Sequence, residues 1–582
     1  MVEFEIEDIA YEEDGDLRII ILPDLAEHEV YIVDPIVAPT SGLRIQIYDI
    51  NEENGNTKYS LTNRKFFLFL RVFKAISQKY IEMSGGDNLK ILIVTDERPS
   101  RNVLLDYCSQ IFAHDGYEIF HQTDDPGESK LSSPYGAASV ALLEDIDLVI
   151  VLTASHNELS WNGVKFYIDY PIPISGDIFK EISRKALGIK EIRLKRNYEI
   201  TRIDAEQINN DYIIELLSKI IDIECLRNKK VIIWPYLGKA RGIVNLFKQL
   251  GAQVVVIDEE INPPNPIKEI REEKLQKVME SEDSNLAILL DADRDRIALY
   301  VKQNGKYYFY IPNEIYSAMH NILAKEYNKK IINVRTIPSD LRGDDTSALN
   351  ILTGVGYKHL GLILYFLFDI KVDQSKIDTA ILYLEDENKN LIKFDNAELL
   401  KNRIARLMEK SRSTNEDFLI VMWEESGGHT LNLLNLSKDD KTGGFRFTSE
   451  FPLIADKYPV PALVLAAELI CRGFNISDSI DWSIVGINQT TSAVDEEKVR
   501  IMENFQINDG KRISIGEHEY FIKALSDNND KIDIYQLKRD GATLYFRPSG
   551  TGPDVRFYIF GDRETYQEEL SQVINYVKEN YI

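Results

Sequence analysis

At 582 residues the chain is long enough for about four domains, and a 44% hydrophobic content supplies several cores and excludes a disordered chain. A formal charge of −26 and a pI near 4.9 exclude nucleic acid as the expected partner, because phosphate backbones attract basic surfaces. A small anionic substrate stays admissible, since a few cations focus a local positive field.

In chain order, residues 1–38 mix acidic and β-branched residues and predict an N-terminal β extension, with strands at Arg18–Leu22 and Val30–Val33. Thr40-Ser-Gly-Leu-Arg44 is a turn carrying one arginine. From about 61 the pattern is helical, then Leu89–Val94 predicts a strand ending in Thr95-Asp-Glu-Arg-Pro-Ser100. A helix over 101–113, a strand at Tyr117–Phe120 and a helix opening at Leu131-Ser-Ser-Pro134 follow. Leu148–Leu152 is a short, wholly apolar run, which predicts a strand buried on both faces. It stops at Thr153-Ala-Ser-His-Asn157, putting Ser155 on a loop at the sheet edge. Asn162-Gly163 predicts a tight turn and Val164–Tyr167 a returning strand that carries Lys165.

The alternation restarts near 205, with strands at Lys229–Trp234, Ala252–Ile257 and Leu286–Leu290, helices at 238–250, 267–280 and 312–327, and Asp291-Ala-Asp-Arg-Asp-Arg296 after the third strand. A further unit holds strands at Lys330–Val334 and Phe418–Met422, the loops Thr353-Gly-Val-Gly-Tyr-Lys358 and Glu424-Glu-Ser-Gly-Gly-His429, an exposed loop over Asn435–Phe447 and a helix at Pro461–Cys471. Strands at 512–523, 532–536, 543–546 and 555–560 with a terminal helix read as α+β. The predicted fold is α/β with four domains: three similar α/β domains with mixed, largely parallel sheets and a C-terminal α+β domain, around a central cleft. The expected bounds are 1–38 for the extension, then 39–203, 204–328, 329–486 and 487–582. Cys108, Cys225 and Cys471 lie far apart with no CxxC spacing, so neither a disulfide framework nor a zinc site is expected. The acidic N-terminus lacks a signal pattern and the most apolar run, Leu360–Phe368, is too short for a bilayer. A cytoplasmic protein with no membrane partner is expected.

Asp291, Asp293 and Asp295 repel one another unless a cation neutralises them, and hard oxygens suit Mg²⁺ or Ca²⁺. An EF-hand does not fit, because its sixth position is Arg296 and its twelfth Lys302. Arg547-Pro-Ser-Gly-Thr551 offers a guanidinium, two hydroxyls and a glycine amide to an oxyanion. The carboxylates and hydroxyl of Glu424-Glu-Ser426 suit the vicinal hydroxyls of a sugar.

In this order the five loops resemble those of the α-D-phosphohexomutases, the family of phosphoglucomutase and phosphomannomutase. Thr40–Arg44 resembles the family's N-terminal motif, Thr153–Asn157 with Asn162–Lys165 its phosphoserine loop, Asp291–Arg296 its metal loop, Glu424–His429 its sugar loop and Arg547–Thr551 its phosphate loop. Here Glu158 replaces a usual proline, Gly552 a usual glutamate and Val421-Met-Trp423 a usual glycine, an extra glycine precedes His429, and the span from Lys358 to Glu424 is lengthened.

The resemblance implies a mutase interconverting hexose 1-phosphate and hexose 6-phosphate, glucose first and mannose second, through phosphoserine 155 and a bound 1,6-bisphosphate. It implies Mg²⁺ held by Ser155, Asp291, Asp293 and Asp295. Arg547, Ser549, Gly550 and Thr551 would bind phosphate and Glu424 and Ser426 the sugar. Lys165, Arg44 and His156 are the catalytic candidates, and Arg296, Gly356, Tyr357, Lys358 and His429 would line the cleft. Glucose 1,6-bisphosphate is the expected activator, sugar phosphates the expected small-molecule partners, and the state monomer or homodimer. Two alternatives stay open. A Mg²⁺-dependent sugar-phosphate phosphatase would act through Asp291, since haloacid-dehalogenase-type enzymes also place Asp-x-Asp after a strand. A catalytically impaired, mutase-like sugar-phosphate-binding protein is suggested by Gly552 and the altered sugar loop.

Overall fold

The computed structural model describes residues 3–33, 43–53, 56–86, 88–168, 176–411, 413–438, 444–549 and 554–581. They fall into two compact units, Met1–Pro312 with Pro452–Arg472, and Asn313–Phe451 with Gly473–Ile582.

The first unit is built on a six-stranded and a five-stranded sheet. The six-stranded sheet runs Ile200–Ile203, Glu118–Gln122, Lys90–Thr95, Leu148–Leu152, Trp161–Ile168, Leu43–Gln46. Its first four strands are parallel, and Leu148–Leu152 is buried at every residue, as the uninterrupted apolar run requires. The last two strands are antiparallel additions, so Lys165 lies opposite Val151 and Arg44 opposite Gly163. The predicted turn at Asn162-Gly163 is instead inside strand Trp161–Ile168. A Cβ on Gly163 would lie 2.2 Å from the Leu43 carbonyl oxygen and 2.6 Å from that of Thr153, so close backbone approach, not a turn, demands glycine there.

The five-stranded sheet runs Gln253–Val256, Lys230–Trp234, Leu286–Leu290, Ile297–Gln303, Lys306–Tyr310, and its fully buried third strand ends at the acidic loop. Residues 3–33, the described part of the predicted N-terminal extension, are not merely appended. Leu17–Ile21 pairs with Glu191–Lys195, and Ile20, Leu22 and Val33 join the core of the six-stranded sheet. Val30–Val33, read as a strand, ends a helix, Glu27–Val33. Glu29 accepts from the Ala26 amide at 2.7 Å and pairs with Arg64, while Val33, four residues on, enters the core: a helical period, not a strand's. The segment Pro452–Arg472 rejoins this unit from far along the chain. Tyr458 donates to Asn209 Oδ1 at 2.9 Å, and the buried Glu468 carboxylate accepts from the amides of Cys225 and Leu226 at 2.7 and 3.0 Å.

The second unit holds a seven-stranded mixed sheet and a six-stranded antiparallel sheet. The former runs Leu391–Lys393, Leu382–Glu385, Leu349–Thr353, Lys330–Thr336, Asn415–Trp423, His429–Lys438, Phe445–Thr448. The predicted loop at Asn435–Phe447 is a correction: Asn435–Lys438 continues a strand and pairs with Phe445–Thr448. Polar residues there alternate with Leu434 and Leu436, both buried, as on a sheet with one wet face. The six-stranded sheet begins with Ile484–Ser492, and apolar side chains including Leu352, Tyr383, Tyr545 and Tyr558 join the two sheets. Among the described residues no helix is long and apolar enough to cross a membrane.

Candidate active-site residues in the two units

In the first unit, Ser155 is buried, with a left-handed φ of +53°. Its amide donates to Thr153 Oγ1 at 2.9 Å, and its Oγ lies 3.2 Å from His156 Nδ1. That backbone conformation is uncommon outside glycine and has to be held by its surroundings. Arg98 does this. Buried completely, it donates to the carbonyls of Ser155 (2.5 Å), Asn157 (2.7 Å), Glu158 (2.6 Å) and Trp161 (3.0 Å), and its Nε pairs with Asp96 at 3.1 Å. All five guanidinium N–H groups are thereby used. Asp96 also accepts from Thr153 Oγ1 at 2.6 Å. Arg98 lies in none of the motifs that stand out in the sequence; its one local signal is an Asp-x-Arg pair at the end of the neighbouring parallel strand.

The acidic loop has a matching brace. Arg294, with φ +68°, donates to the carbonyls of Asp291, Ala292, Pro235 and Leu237 and pairs with Glu97 at 3.0 Å. Ser133, at the start of helix Ser133–Leu142, donates its amide to the Asp293 carbonyl (3.0 Å) and its hydroxyl to Asp293 Oδ2 (2.8 Å). Asp291, Asp293 and Asp295 are buried, with one carboxylate oxygen of each within 4.8 Å of the others. Asp291 Oδ2 and Asp293 Oδ1 are buried without a hydrogen-bond partner among the described residues. Orphaned oxygens in a hard, anionic donor set fit a divalent cation.

Lys165 Nζ lies 2.6 Å from Asp293 Oδ2 and 3.0 Å from Asp295 Oδ2. Burial alone would push its pKa down, but the two carboxylates hold the ammonium above the ordinary lysine range. Burial, with Asp293 next, pushes Asp291 well up, whereas Lys165 holds Asp293 and Asp295 low against their burial. Burial, then Arg296 and Arg44, pushes His156 down to about 3, so its ring is neutral at pH 7. Arg44 is lowered by burial but feels Asp293 and Asp295, and the Arg296 amide donates to Asp291 Oδ1 at 3.1 Å. Ser155, His156, Lys165, Arg44, Arg296 and the three aspartates are therefore brought together in one unit.

In the second unit, the loop between the paired strands Asn415–Trp423 and His429–Lys438 carries Glu424 and Ser426. The Ser426 hydroxyl donates to the Glu424 carboxylate, and the turn closes through Glu424 N to the Gly428 carbonyl at 3.0 Å. Glu425 accepts from Thr336 Oγ1 at 3.1 Å, and burial, then Glu424, raises its pKa against the pull of Arg547. Burial, then Lys358 and Arg547, pushes His359 well down, so these cations share one neighbourhood. Ser549 is buried, its amide donating to the Asp554 carbonyl at 2.8 Å. Thr40–Gly42 and Gly550–Thr551 lie outside the described residues.

Two expectations are corrected. His429 does not line a cleft: it is buried, its Nε2 is 3.1 Å from His320 Nε2, and its ring packs on Tyr316. Tyr357 is also buried, its hydroxyl donating to the Met422 carbonyl at 3.1 Å, as the first residue of helix Tyr357–Phe368. Gly356, at φ +113°, supplies the entry to that helix. Tyr316 donates to the Gly427 carbonyl at 2.6 Å, so this buried aromatic residue anchors the loop that carries Glu424 and Ser426.

Residues 60–193 match the family model described as phosphoglucomutase/phosphomannomutase, alpha/beta/alpha domain I. Phosphoglucosamine mutase of Neisseria subflava is 28% identical over 246 residues, 41% of this chain and 53% of that one. The phosphoglucosamine mutase of Neisseria meningitidis serogroup C is 32% identical over 171 residues, 27% of this chain and 36% of that one. The chain thus matches about a third to a half of the length of these relatives. Solved structures match along nearly the whole chain. A phosphoglucomutase/phosphomannomutase family protein of Burkholderia thailandensis aligns with a TM-score of 0.57 at 14% identity, covering 94% of this chain and 99% of that one. The open form of parafusin, a phosphoglucomutase of Paramecium, aligns with a TM-score of 0.55 at 15% identity, covering 97% and 96%. Residues 60–193 thus resemble domain I of phosphoglucomutases and phosphomannomutases, and the chain shares the fold of these solved multidomain structures over 94% of its length.

Proposed function

We propose that the chain is a phosphohexomutase that interconverts hexose 1-phosphate and hexose 6-phosphate, with glucose as the sugar. The observation that carries this reading is the first-unit cluster: a buried serine in a strained loop, an acidic trio with two orphaned oxygens, and a protonated lysine spanning two of the aspartates. Ser155 would rest as a phosphoserine. Its phosphoryl group passes to the free hydroxyl of a hexose monophosphate, the bond to Ser155 Oγ breaking as the bond to the sugar oxygen forms. The sugar hydroxyl gives up its proton, and the serine oxygen gains one. The bound 1,6-bisphosphate then returns its other phosphoryl group to Ser155.

Lys165 holds its proton on Nζ and offsets the moving charge; as built it is no base. Neutral His156 orients the serine oxygen. Asp291, Asp293 and Asp295 with the phosphoserine would hold Mg²⁺, which when bound supplies charge stabilisation to the phosphoryl group. In the second unit, Glu424 and Ser426 offer acceptors and a hydroxyl to sugar O3 and O4. Arg547 and Ser549, with Gly550 and Thr551, would take the phosphate that is not reacting.

The test is a coupled assay of the purified chain with glucose 1-phosphate, trace glucose 1,6-bisphosphate and Mg²⁺. Mannose 1-phosphate runs alongside, as does glucosamine 1-phosphate, because the curated relatives carry that sugar in their names. Isomerisation without phosphate release supports the reading. Release of phosphate with no isomerised product would replace it with a phosphatase.

A further inference from the structure

We propose that a cavity of about 490 Å³ in the first unit is a second ligand site, built for a small phosphate monoester with an apolar or aromatic body. Its size is that of small-molecule sites, roughly 300–1,000 Å³. None of Ser155, Lys165, Asp291, Asp293 or Asp295 lines it. It abuts the braces of the reacting loops instead: Asp96, which anchors Arg98, and Arg294, which holds the acidic loop, both contribute to its wall.

The chemistry of the lining selects the ligand. Leu131, Tyr135, Ile243, Val244 and Val256 give the cavity its apolar lining. The charged lining is then sorted by existing partners. Asp96 is spent on Arg98, Glu97 on Arg294 and the amides of Lys239 and Ala240, and Glu206 on Arg241. Lys130 is paired with Glu128. What remains is Lys239 and Lys248, in no ion pair among the described residues, against one carboxylate, Asp258. Both lysines are exposed at the rim of the cavity, and Lys248 shares a helix face with Arg241 and Asn245 at spacings of three and four. Two uncommitted ammonium groups beside an apolar wall, on a chain of charge −26, favour an amphipathic anion with a compact, multiply charged head.

The test uses the full chain carrying Arg547→Ala, which weakens the expected phosphate grip of the second unit. Phenyl phosphate and inorganic phosphate are titrated by calorimetry. Phenyl phosphate should bind saturably and at least tenfold more tightly than inorganic phosphate. Lys239→Glu with Lys248→Glu should weaken it tenfold or more, whereas Lys239→Arg with Lys248→Arg should keep it. Because both lysines are exposed, an unchanged circular dichroism spectrum is expected for each variant. Absence of saturable binding, equal affinity for the two probes, or binding indifferent to the charge reversal would each overturn the proposal. Binding is read without turnover, so a failed mutase assay leaves this result standing on its own.

Discussion

Arg98→Lys isolates what the Ser155 loop depends on. The substitution keeps a cation for Asp96 but replaces five donors in a planar fork with three on a flexible stem. In the wild type one donor serves Asp96 and four serve the carbonyls of Ser155, Asn157, Glu158 and Trp161. At least two carbonyls of a buried loop therefore lose their partner, at about 1–3 kcal/mol each, or about 2–6 kcal/mol in all. The loss is local, so it belongs in the opening free energy of this segment. Amide exchange followed by mass spectrometry on peptides covering Thr153–Trp161 should quicken by about 30-fold or more, the equivalent of about 2 kcal/mol. Strand Lys230–Trp234 should be unchanged. Uptake of phosphate by Ser155 from glucose 1,6-bisphosphate should fall with it. If exchange across 153–161 stays within threefold of wild type, Arg98 is not what holds the serine in place.

Asp293→Asn should weaken Mg²⁺ binding by more than the roughly 10–100-fold typical of residues that only orient a ligand; calorimetric titration measures it, and wild-type activity that survives EDTA would refute the metal assignment. Gly163→Ala should destabilise the first unit by about 1–3 kcal/mol through overpacking, because its Cβ would meet two carbonyl oxygens at 2.2 and 2.6 Å; an unchanged melting temperature would show that the strands give way freely. Burial pushes His320 down to about 3 and His429 well below its ordinary value. Their folded-state pKa values are depressed, so the unfolded chain binds protons first and stability is lost as pH falls below about 6.5. At pH 5.5 His320 should cost about 1.4 kcal/mol, and His429 adds a cost of the same sign. His320→Gln should therefore flatten the fall of melting temperature between pH 6.5 and 4.5, and an identical slope in the variant would show that the buried histidine pair is not a source of the acid sensitivity.

Much of the site was legible because buried parallel strands are uniformly apolar and end abruptly. Leu148–Leu152 and Leu286–Leu290 announce themselves, and the loops that follow them carry Ser155 and the acidic trio. What was hidden depended on partners remote in sequence. Arg98 sits in a polar run that reads as a turn, and only the fold lays that run beside residues 155–161. Asn162-Gly163 has turn chemistry, yet the requirement it meets is a carbonyl packed against it. His429 follows a glycine-rich loop and looks available, but a helix some hundred residues earlier supplies Tyr316 and His320 to bury it. The return of Pro452–Arg472 to the first unit has no local signature, since Tyr458 and Glu468 act on residues some 240 positions away.

In the proposed reaction Ser155 carries the phosphoryl group. The most direct measurement is mass spectrometry of the purified chain after incubation with glucose 1,6-bisphosphate and Mg²⁺, with peptide mapping and with Ser155→Ala in parallel. One added phosphoryl group is expected on the Ser155 peptide, none on the variant, and loss of isomerase activity in the variant by many orders of magnitude, on the order of 10⁶ as for removal of other catalytic nucleophiles. A fully active Ser155→Ala protein, or a phosphoryl group found on Asp291 instead, would contradict it.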